Sequence, residues 1–572
     1  MCCRDELCSF VNLVLCRRTN TVRPYIVLYI APILPRFCLS LRMWTPPPTI
    51  NFTGYLYMKK YLVLVISGLL FAVPFFIPQL HLLSFVSAVP FFYIIFKNPA
   101  KIIKYSVCFG MSFYLAVYTW FLRMYPMEQV GVTPAESLII VIAAWVGVSV
   151  IQMFVFMILP VGLKLIRVKN IFIMPVLAAS LYVILEWVQS WFLSGLTWGK
   201  LAVSQYRDLF FIQSMSVFGT YFPAFIIIFI NAAIALYILH RKNNNAAVKL
   251  TFACIIIYFA NSCFGFFRLY LYNHDYEKIT AQIVQGNVSS YEKWEDYSII
   301  DQFNIHKDLT ERYITPETDI SLWAETVVPT VIHHGGGWYN ALRNIAADNN
   351  ITLFAGAFHS EIISGESKNF NAIMAFDTNY EFIRPYAKRQ LVPFGEFLPF
   401  EGILTSLFPF IDNINLFNAR LTPGESSRLM QINGVNYGGL VCFDSIFPRL
   451  ARQSVRDGAD ILLISTNDSW FRDSMAIYQH NAQAVLRAVQ NNRYVVRSAN
   501  TGISSFISST GRVLQQTEVF ERTAMTREVG LVSGMTIYTR FGEIILYLAF
   551  IYIIACIAVM CSRRLKSDKS DF

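Results

Sequence analysis

Eight apolar runs set the terms for this chain before any motif is considered. They cover roughly 60–78, 80–98, 105–122, 137–163, 171–193, 220–239, 248–271 and 544–560. Most have the length of ~20 residues that a helix needs to cross bilayer hydrocarbon. With 55% hydrophobic and only 15% charged residues, the chain as a whole is too apolar for a soluble globular protein. Residues 275–530, between the seventh and eighth runs, have ordinary polar composition. The expected architecture is a multi-span α-helical membrane domain of about eight helices, with one soluble domain inserted between two spans.

The formal net charge of +10 does not form a nucleic-acid footprint, because the basic residues lie in small clusters between apolar runs. "MKK" (58–60) precedes the first run, and "FKNPAKIIK" (96–104), "KLIRVKN" (164–170), "HRKNNNAAVK" (240–249) and "SRRLKSDK" (562–569) follow the even ones. The alternate connections are poor in Lys and Arg. Basic residues close to span ends stay cytoplasmic. Both ends of the chain are therefore expected inside and the inserted domain outside, on the periplasmic face of a bacterial inner membrane.

The first 57 residues do not share this grammar. Their best apolar run, 25–35, is too short to span, and no small-residue cleavage site follows it. A span there would place "MKK" outside and reverse every later basic loop. We expect 1–57 to be a dispensable or non-native extension, 58–274 the seven-helix membrane domain, 275–530 the catalytic domain, 540–562 the eighth helix and 563–572 a cytoplasmic tail. Expression from Met58 should give full activity and unchanged topology; a truncated protein that fails to insert would disprove this boundary.

The inserted domain has an α/β rhythm. "ITAQIVQGNV" (279–288), "DISLWAE" (319–325), "ITLFAGAF" (351–358), "YGGLVCF" (437–443) and "DILLISTN" (460–467) read as short buried strands. "NAQAVLRAVQNNRYVVRSA" (481–499) reads as a helix, and "GISSFISSTGRVL" after it as a hairpin.

Cys442 is the only cysteine between Cys263 and Cys556, so it has no disulfide partner within the domain. No Cys/His spacing suits a metal, and no metal or cofactor is implied. A lone cysteine is ordinarily a small buried hydrophobe. Two other stretches shift that balance: "SLWAETVVP" (321–329) sets Glu325 at a strand end, and "YAKRQLVPFGEFLPF" (386–400) sets Lys388 before a Pro/Gly-rich turn. A thiol nucleophile needs a base for its proton, which a carboxylate can be, and its tetrahedral adduct needs positive charge beside the oxyanion.

"WAE", "K…LVPFGEF" and "VCFD" together resemble the Glu-Lys-Cys site of the nitrilase superfamily. With "AQIVQGNVSSYEKW" (281–294), "ISTNDSWF" (464–471), "EWVQSWFLSGLTWG" (186–199) and the seven-plus-one spans, the chain from about Met58 onward resembles the apolipoprotein N-acyltransferases. The resemblance implies a nitrilase-like α-β-β-α sandwich. Within it Glu325 would be the general base, Lys388 the oxyanion-stabilising residue and Cys442 the nucleophile. Glu396 would support the lysine and the base, and Trp294 would line the substrate site. Asp444 stands where the family usually has Glu; a supporting role is implied, with a reach shorter by one methylene.

The resemblance further implies acyl transfer from a membrane phospholipid, through a Cys442 thioester, to the α-amine of a diacylglyceryl-modified apolipoprotein. The alternatives are a membrane-tethered nitrilase-type amidase or an acyltransferase using another amine, and a non-catalytic lipid-binding receptor. An intact Glu-Lys-Cys set argues against the receptor. "HHGGG" (333–337) lacks an accompanying GxSxG and reads as a surface turn. His480 reads as structural, and Glu186 as either functional or paired within the bundle. The Leu/Ile/Phe-rich stretch 401–425 is expected to lie in part against the outer leaflet.

Overall fold

The computed structural model describes residues 52–570, except 128–130, 167, 169, 192–194, 196–197, 241–244, 272–275, 289–297, 381, 400, 403–405 and 407–420. Most of the N-terminal extension, Trp294 and the greater part of 401–425 therefore lie outside the described residues.

Where they are described, the eight apolar runs are mostly helical. Among the described residues, seven stretches are long and apolar enough to cross a membrane: Met58–Phe76, Pro78–Lys97, Pro99–Met124, Pro134–Ile166, Phe222–His240, Val248–Leu271 and Ile544–Arg563. The fifth run is the helix Ile173–Gln189, whose 17 residues stand at the lower limit for a span. It lies inside the bundle: Trp187 meets Phe550 edge-on at 5.8 Å, and the Tyr552 hydroxyl donates to the Ile173 carbonyl at 3.2 Å. The outermost helices show the opposite face. Phe252, Ile255, Ile256 and Phe259 recur at helical spacing and are all exposed. A stripe of that kind suits a lipid-facing surface.

The inserted domain is built on two sheets. The first contains β1 (Lys278–Gln285), β2 (Ile320–Trp323), β3 (Val328–Val331), β4 (Thr352–Ile363), β5 (Glu366–Phe376), β6 (Tyr386–Ala387) and β13 (Thr523–Gly530), in the order β13-β1-β2-β4-β5-β6 with β3 also on β4. The second contains β7 (Met430–Ile432), β8 (Val435–Val441), β9 (Ile461–Thr466), β10 (Val495–Ala499), β11 (Ser505–Ile507) and β12 (Val513–Gln516), in the order β12-β11-β10-β9-β8-β7. The centres are parallel, with β2 between β1 and β4, and β9 between β8 and β10. Parallel strands must be covered on both faces, which is why these segments read as continuous apolar runs.

Alternation along β9 shows the layering. Ile461 and Leu463 enter the core between the sheets with Ile283, Leu322 and Phe354. Leu462 and Ile464 point the other way, to the helices Pro448–Arg456 and Met475–Asn491. That outer layer is continuous with the membrane bundle, since Val485 and Val489 share one core with Phe211, Ile227 and Leu236. The outer face of the first sheet is covered separately by Ser298–Tyr313 and Gly337–Asn349. The α-β-β-α sandwich expected from the motifs is present, and its second helical layer also forms the seat on the membrane domain.

One expected element differs. The helix over 481–499 begins earlier and stops at Asn491, with Asn492 left-handed at φ +52°, and the remainder is β10. Asn tolerates that conformation, and the following Val495-Val496 pair suits a buried parallel strand better than a helix. The hairpin after it is formed by β11 and β12.

Candidate active site

Three strand ends converge. β2 delivers Glu325, β6 delivers Lys388 and β8 delivers Cys442, where the chain turns into the short helical turn Cys442–Ile446. Cys442 is held at φ +47° and Thr326, beside Glu325, at φ +48°. Left-handed backbone is costly for residues other than Gly, and such strain concentrates at functional sites. Gly356 makes room for the Glu325 turn: a Cβ there would stand 2.6 Å from the Thr326 nitrogen and 2.7 Å from the Glu325 Cα. Gly356→Ala should therefore displace Glu325 and destabilise the domain by about 1–3 kcal/mol, the usual range for overpacking. Thermal unfolding in detergent would check this, with a wild-type Tm counting against it.

Lys388 is fully buried and lies between two carboxylates, its Nζ 3.1 Å from Glu325 Oε1 and 2.8 Å from Glu396 Oε1. Asn371 Nδ2 donates to the same two oxygens, at 2.8 and 3.0 Å. Glu325 Oε2 accepts from the Asn467 amide at 2.9 Å, and Glu396 Oε2 from the Val392 amide at 2.9 Å. Burial opposes the charge of Lys388, but Glu325, Glu396 and Cys442 outweigh it and hold its pKa well above the ordinary value. The ammonium is a fixed positive charge. Cys442 is partly open at its surface, yet burial first and Glu325 second push its thiol pKa far up, with Lys388 pulling against them. A thiol pushed in this direction holds its proton more firmly, so a base beside it has to take that proton as the sulfur reacts.

Asp444 feels the charge of Lys388 but takes its hydrogen bonds from other groups. It is buried and accepts from the Tyr386 hydroxyl at 2.9 Å, the Gln390 amide at 2.7 Å, the Arg389 amide at 3.2 Å and the Val441 amide at 3.1 Å. It thus ties the segment bearing Lys388 to the turn bearing Cys442, and the short Asp side chain reaches all four donors. Asp444→Ala would leave several buried donors unpaired at roughly 1–3 kcal/mol each. We expect a large loss of stability and a displaced Lys388; a variant with wild-type Tm and turnover would contradict this role.

The residue that sequence reasoning undervalued is His480. Its Nε2 lies 3.2 Å from the Cys442 carbonyl and 2.9 Å from Ser445 Oγ, and its Nδ1 lies 2.8 Å from Asp468 Oδ1. Arg497 Nη2 donates to the other Asp468 oxygen at 2.8 Å. This buried chain supports the backbone behind the thiol rather than the thiol itself. The reading of His480 as structural stands, but it acts beside Cys442, which linear spacing could not show. Glu186 is buried in the bundle and accepts from the Leu201 amide at 2.8 Å. "HHGGG" is a turn ahead of the helix Gly337–Asn349.

Residues 306–534 match the carbon-nitrogen hydrolase family model, and residues 67–233 match the apolipoprotein N-acyltransferase N-terminal domain. The chain is 26% identical to an apolipoprotein N-acyltransferase of Geobacter metallireducens over 88% of this chain and 96% of that protein. It is 27% identical to one of Rickettsia typhi over 86% and 96%. The chain carries both domains and is similar to apolipoprotein N-acyltransferases over most of its length. Among solved structures, Saccharomyces cerevisiae Nit3, of the nitrilase superfamily, aligns with 44% of this chain and 90% of its own at 19% identity and a TM-score of 0.34. With these domains, these relatives and its apolar helices, the chain is a membrane-embedded acyltransferase. Both family models fall where the folds differ, one on the helical bundle and one on the sandwich.

Proposed function

We propose that this acyltransferase moves an acyl chain from a membrane phospholipid, through a thioester on Cys442, to the α-amine of a diacylglyceryl-cysteine at a lipoprotein N-terminus. The observation that carries the reading is the buried Lys388 ammonium, bracketed by Glu325 and Glu396 beside the strained turn of Cys442. Glu325 takes the thiol proton as sulfur attacks the ester carbonyl. Lys388 offsets the charge that develops on the carbonyl oxygen. Collapse of the adduct breaks the ester C–O bond, and Glu325 returns the proton to the departing lysophospholipid oxygen. In the second half-reaction the amine attacks the thioester, loses a proton to Glu325 and expels the Cys442 thiolate, which is reprotonated. Glu396 and Asn371 keep Lys388 and Glu325 in place throughout.

The basic-loop pattern supports a bacterial inner-membrane location with the site on the periplasmic side. Intact-mass analysis of protein incubated with phospholipid should reveal one hydroxylamine-labile acyl adduct on Cys442, which disappears when a diacylglyceryl peptide is added. An unmodified Cys442 under active turnover would overturn the thioester route.

A further inference from the structure

A cleft of about 290 Å³ opens at the seam between the membrane bundle and the sandwich, lined in part by Tyr206, Arg207, Tyr478, Asn481, Val485 and Arg512. Two arginines, Arg207 and Arg512, line it, and none of its lining residues is a carboxylate. Asp208, next to Arg207, is engaged elsewhere, accepting from the Phe211 amide at 3.0 Å and lying 3.7 Å from His81. Asp473 and Glu518 act on the Tyr478 phenol but are not among the lining residues.

The walls are built and tied together. Arg207 lies over the Tyr206 ring at 5.8 Å, and its Nε donates to the Tyr206 hydroxyl at 3.1 Å. Arg512 closes the tight turn between β11 and β12, with its amide donating to Ser508 Oγ at 3.1 Å and its carbonyl accepting from the Ser508 amide at 2.9 Å. Gly511, at φ +85°, lets that turn settle on the helix, since a Cβ would come within 2.5 Å of the Val489 side chain. Gln213 Nε2, from the bundle side, donates to the Thr510 carbonyl at 2.9 Å and holds the two walls in register.

Next to the cleft the surface is apolar and aromatic. Phe210 stacks with Phe266 at 6.3 Å and lies 6.2 Å from Tyr270, and all three are exposed on the spanning helix and the segment packed on it. A ligand suited to both features has an anionic head and apolar tails. The cleft is not the catalytic site. On the helix Met475–Asn491, Tyr478, Asn481 and Val485 line the cleft, whereas His480 and Arg487 reach the Cys442 carbonyl and the Ile446 carbonyl. At ~100° per residue these sets lie on opposite faces of one helix.

We propose that this cleft binds the phosphate of an anionic phospholipid as a resident lipid, separate from the lipid that reacts at Cys442. Arg207 and Arg512 pair with the phosphate, Tyr206 and Tyr478 flank the headgroup, and the acyl chains lie along Phe210, Phe266 and Tyr270. The proposal rests on the reading that the sandwich sits on the outer membrane face.

The test is native mass spectrometry of the delipidated full chain titrated with phosphatidylglycerol, phosphatidylethanolamine or inorganic phosphate. Wild type should retain one tightly held phosphatidylglycerol, and Arg207→Gln/Arg512→Gln should bind it at least about tenfold more weakly, as expected for losing two charge-assisted contacts. Arg207→Lys/Arg512→Lys should recover much of the binding. Equal retention by wild type and the Gln pair would overturn the proposal, as would loss in both pairs. Displacement of the lipid by millimolar inorganic phosphate would reassign the site to a free ion and overturn it too. Acyl-adduct formation at Cys442, measured on the same samples, should persist in the Gln pair and reports separately on the catalytic reading.

Discussion

Cys442→Ala should yield no acyl adduct and no transfer product, Glu325→Gln should lower turnover by about 10²–10⁴-fold, and Lys388→Met by about 10²–10³-fold. The first expectation follows from removing the sulfur proposed to carry the thioester. The second is the usual worth of a positioned general base, and the third that of one oxyanion-stabilising group. Cys442→Ser keeps the shape, but its hydroxyl proton is much harder to remove, so it should be inert as well. The three losses will not add, because base, cation and nucleophile act in one step. Lys388→Met has a second consequence: it leaves Glu325 and Glu396 sharing Asn371 with no cation between them, at 2.8 and 3.0 Å from its nitrogen. Its folding should therefore be checked by thermal unfolding before its kinetics are read. Adduct formation by mass and transfer to a labelled diacylglyceryl peptide give the two readouts. A Cys442→Ser protein that still transfers acyl chains would falsify the mechanism.

The second large effect concerns stability. Arg497→Met should destabilise the sandwich by about 3–5 kcal/mol, because it strands the buried Asp468 carboxylate without its guanidinium partner. Both side chains are completely buried and their contact is 2.8 Å. Burial alone would raise the Asp468 pKa, but Arg497 and His480 reverse the balance and hold it far below the ordinary carboxylate value. A carboxyl depressed in the folded state contributes stability that is fully present above its unfolded pKa of about 4. That contribution fades as pH falls below about 4 toward the folded value. Wild-type protein should thus lose stability over this acid range, and Asp468→Asn should show a flatter profile from a lower plateau. Unfolding midpoints measured from pH 3 to 7 in detergent provide the comparison. An Arg497→Met protein as stable as wild type would remove the ion pair from the account.

The His480–Asp468–Arg497 chain also links the membrane to the site. The helix carrying His480 is clamped to the bundle, with Gln490 Nε2 donating to Thr220 Oγ1 at 2.7 Å and Arg268 Nη1 to the Val489 carbonyl at 3.1 Å. The membrane domain therefore supports the turn that presents Cys442.

The sequence by itself determined the spans, the inserted α/β domain and the Glu-Lys-Cys set, because each is written locally. Hydrocarbon thickness demands an apolar run of given length, a covered parallel strand demands consecutive apolar residues, and the three groups proposed to react sit in short motifs at strand ends. Glu325, Lys388 and Glu396 could be named without coordinates, and the structure draws them together. Tertiary structure alone decided the rest. Asp444 clasps four donors contributed by β8 and by the Tyr386–Gln390 segment, and no linear pattern records which amides a carboxylate will meet. His480 reaches the Cys442 carbonyl across 38 positions of chain. The end of the helix at Asn491 was overridden by pairing, since Val495–Ala499 gains a parallel partner in β9 that an isolated helix could not offer. Local propensity is a property of neighbours in sequence. Hydrogen-bond partners and shared cores are properties of neighbours in space, and they exist only once the two sheets have closed on each other and the outer helix has docked on the membrane bundle.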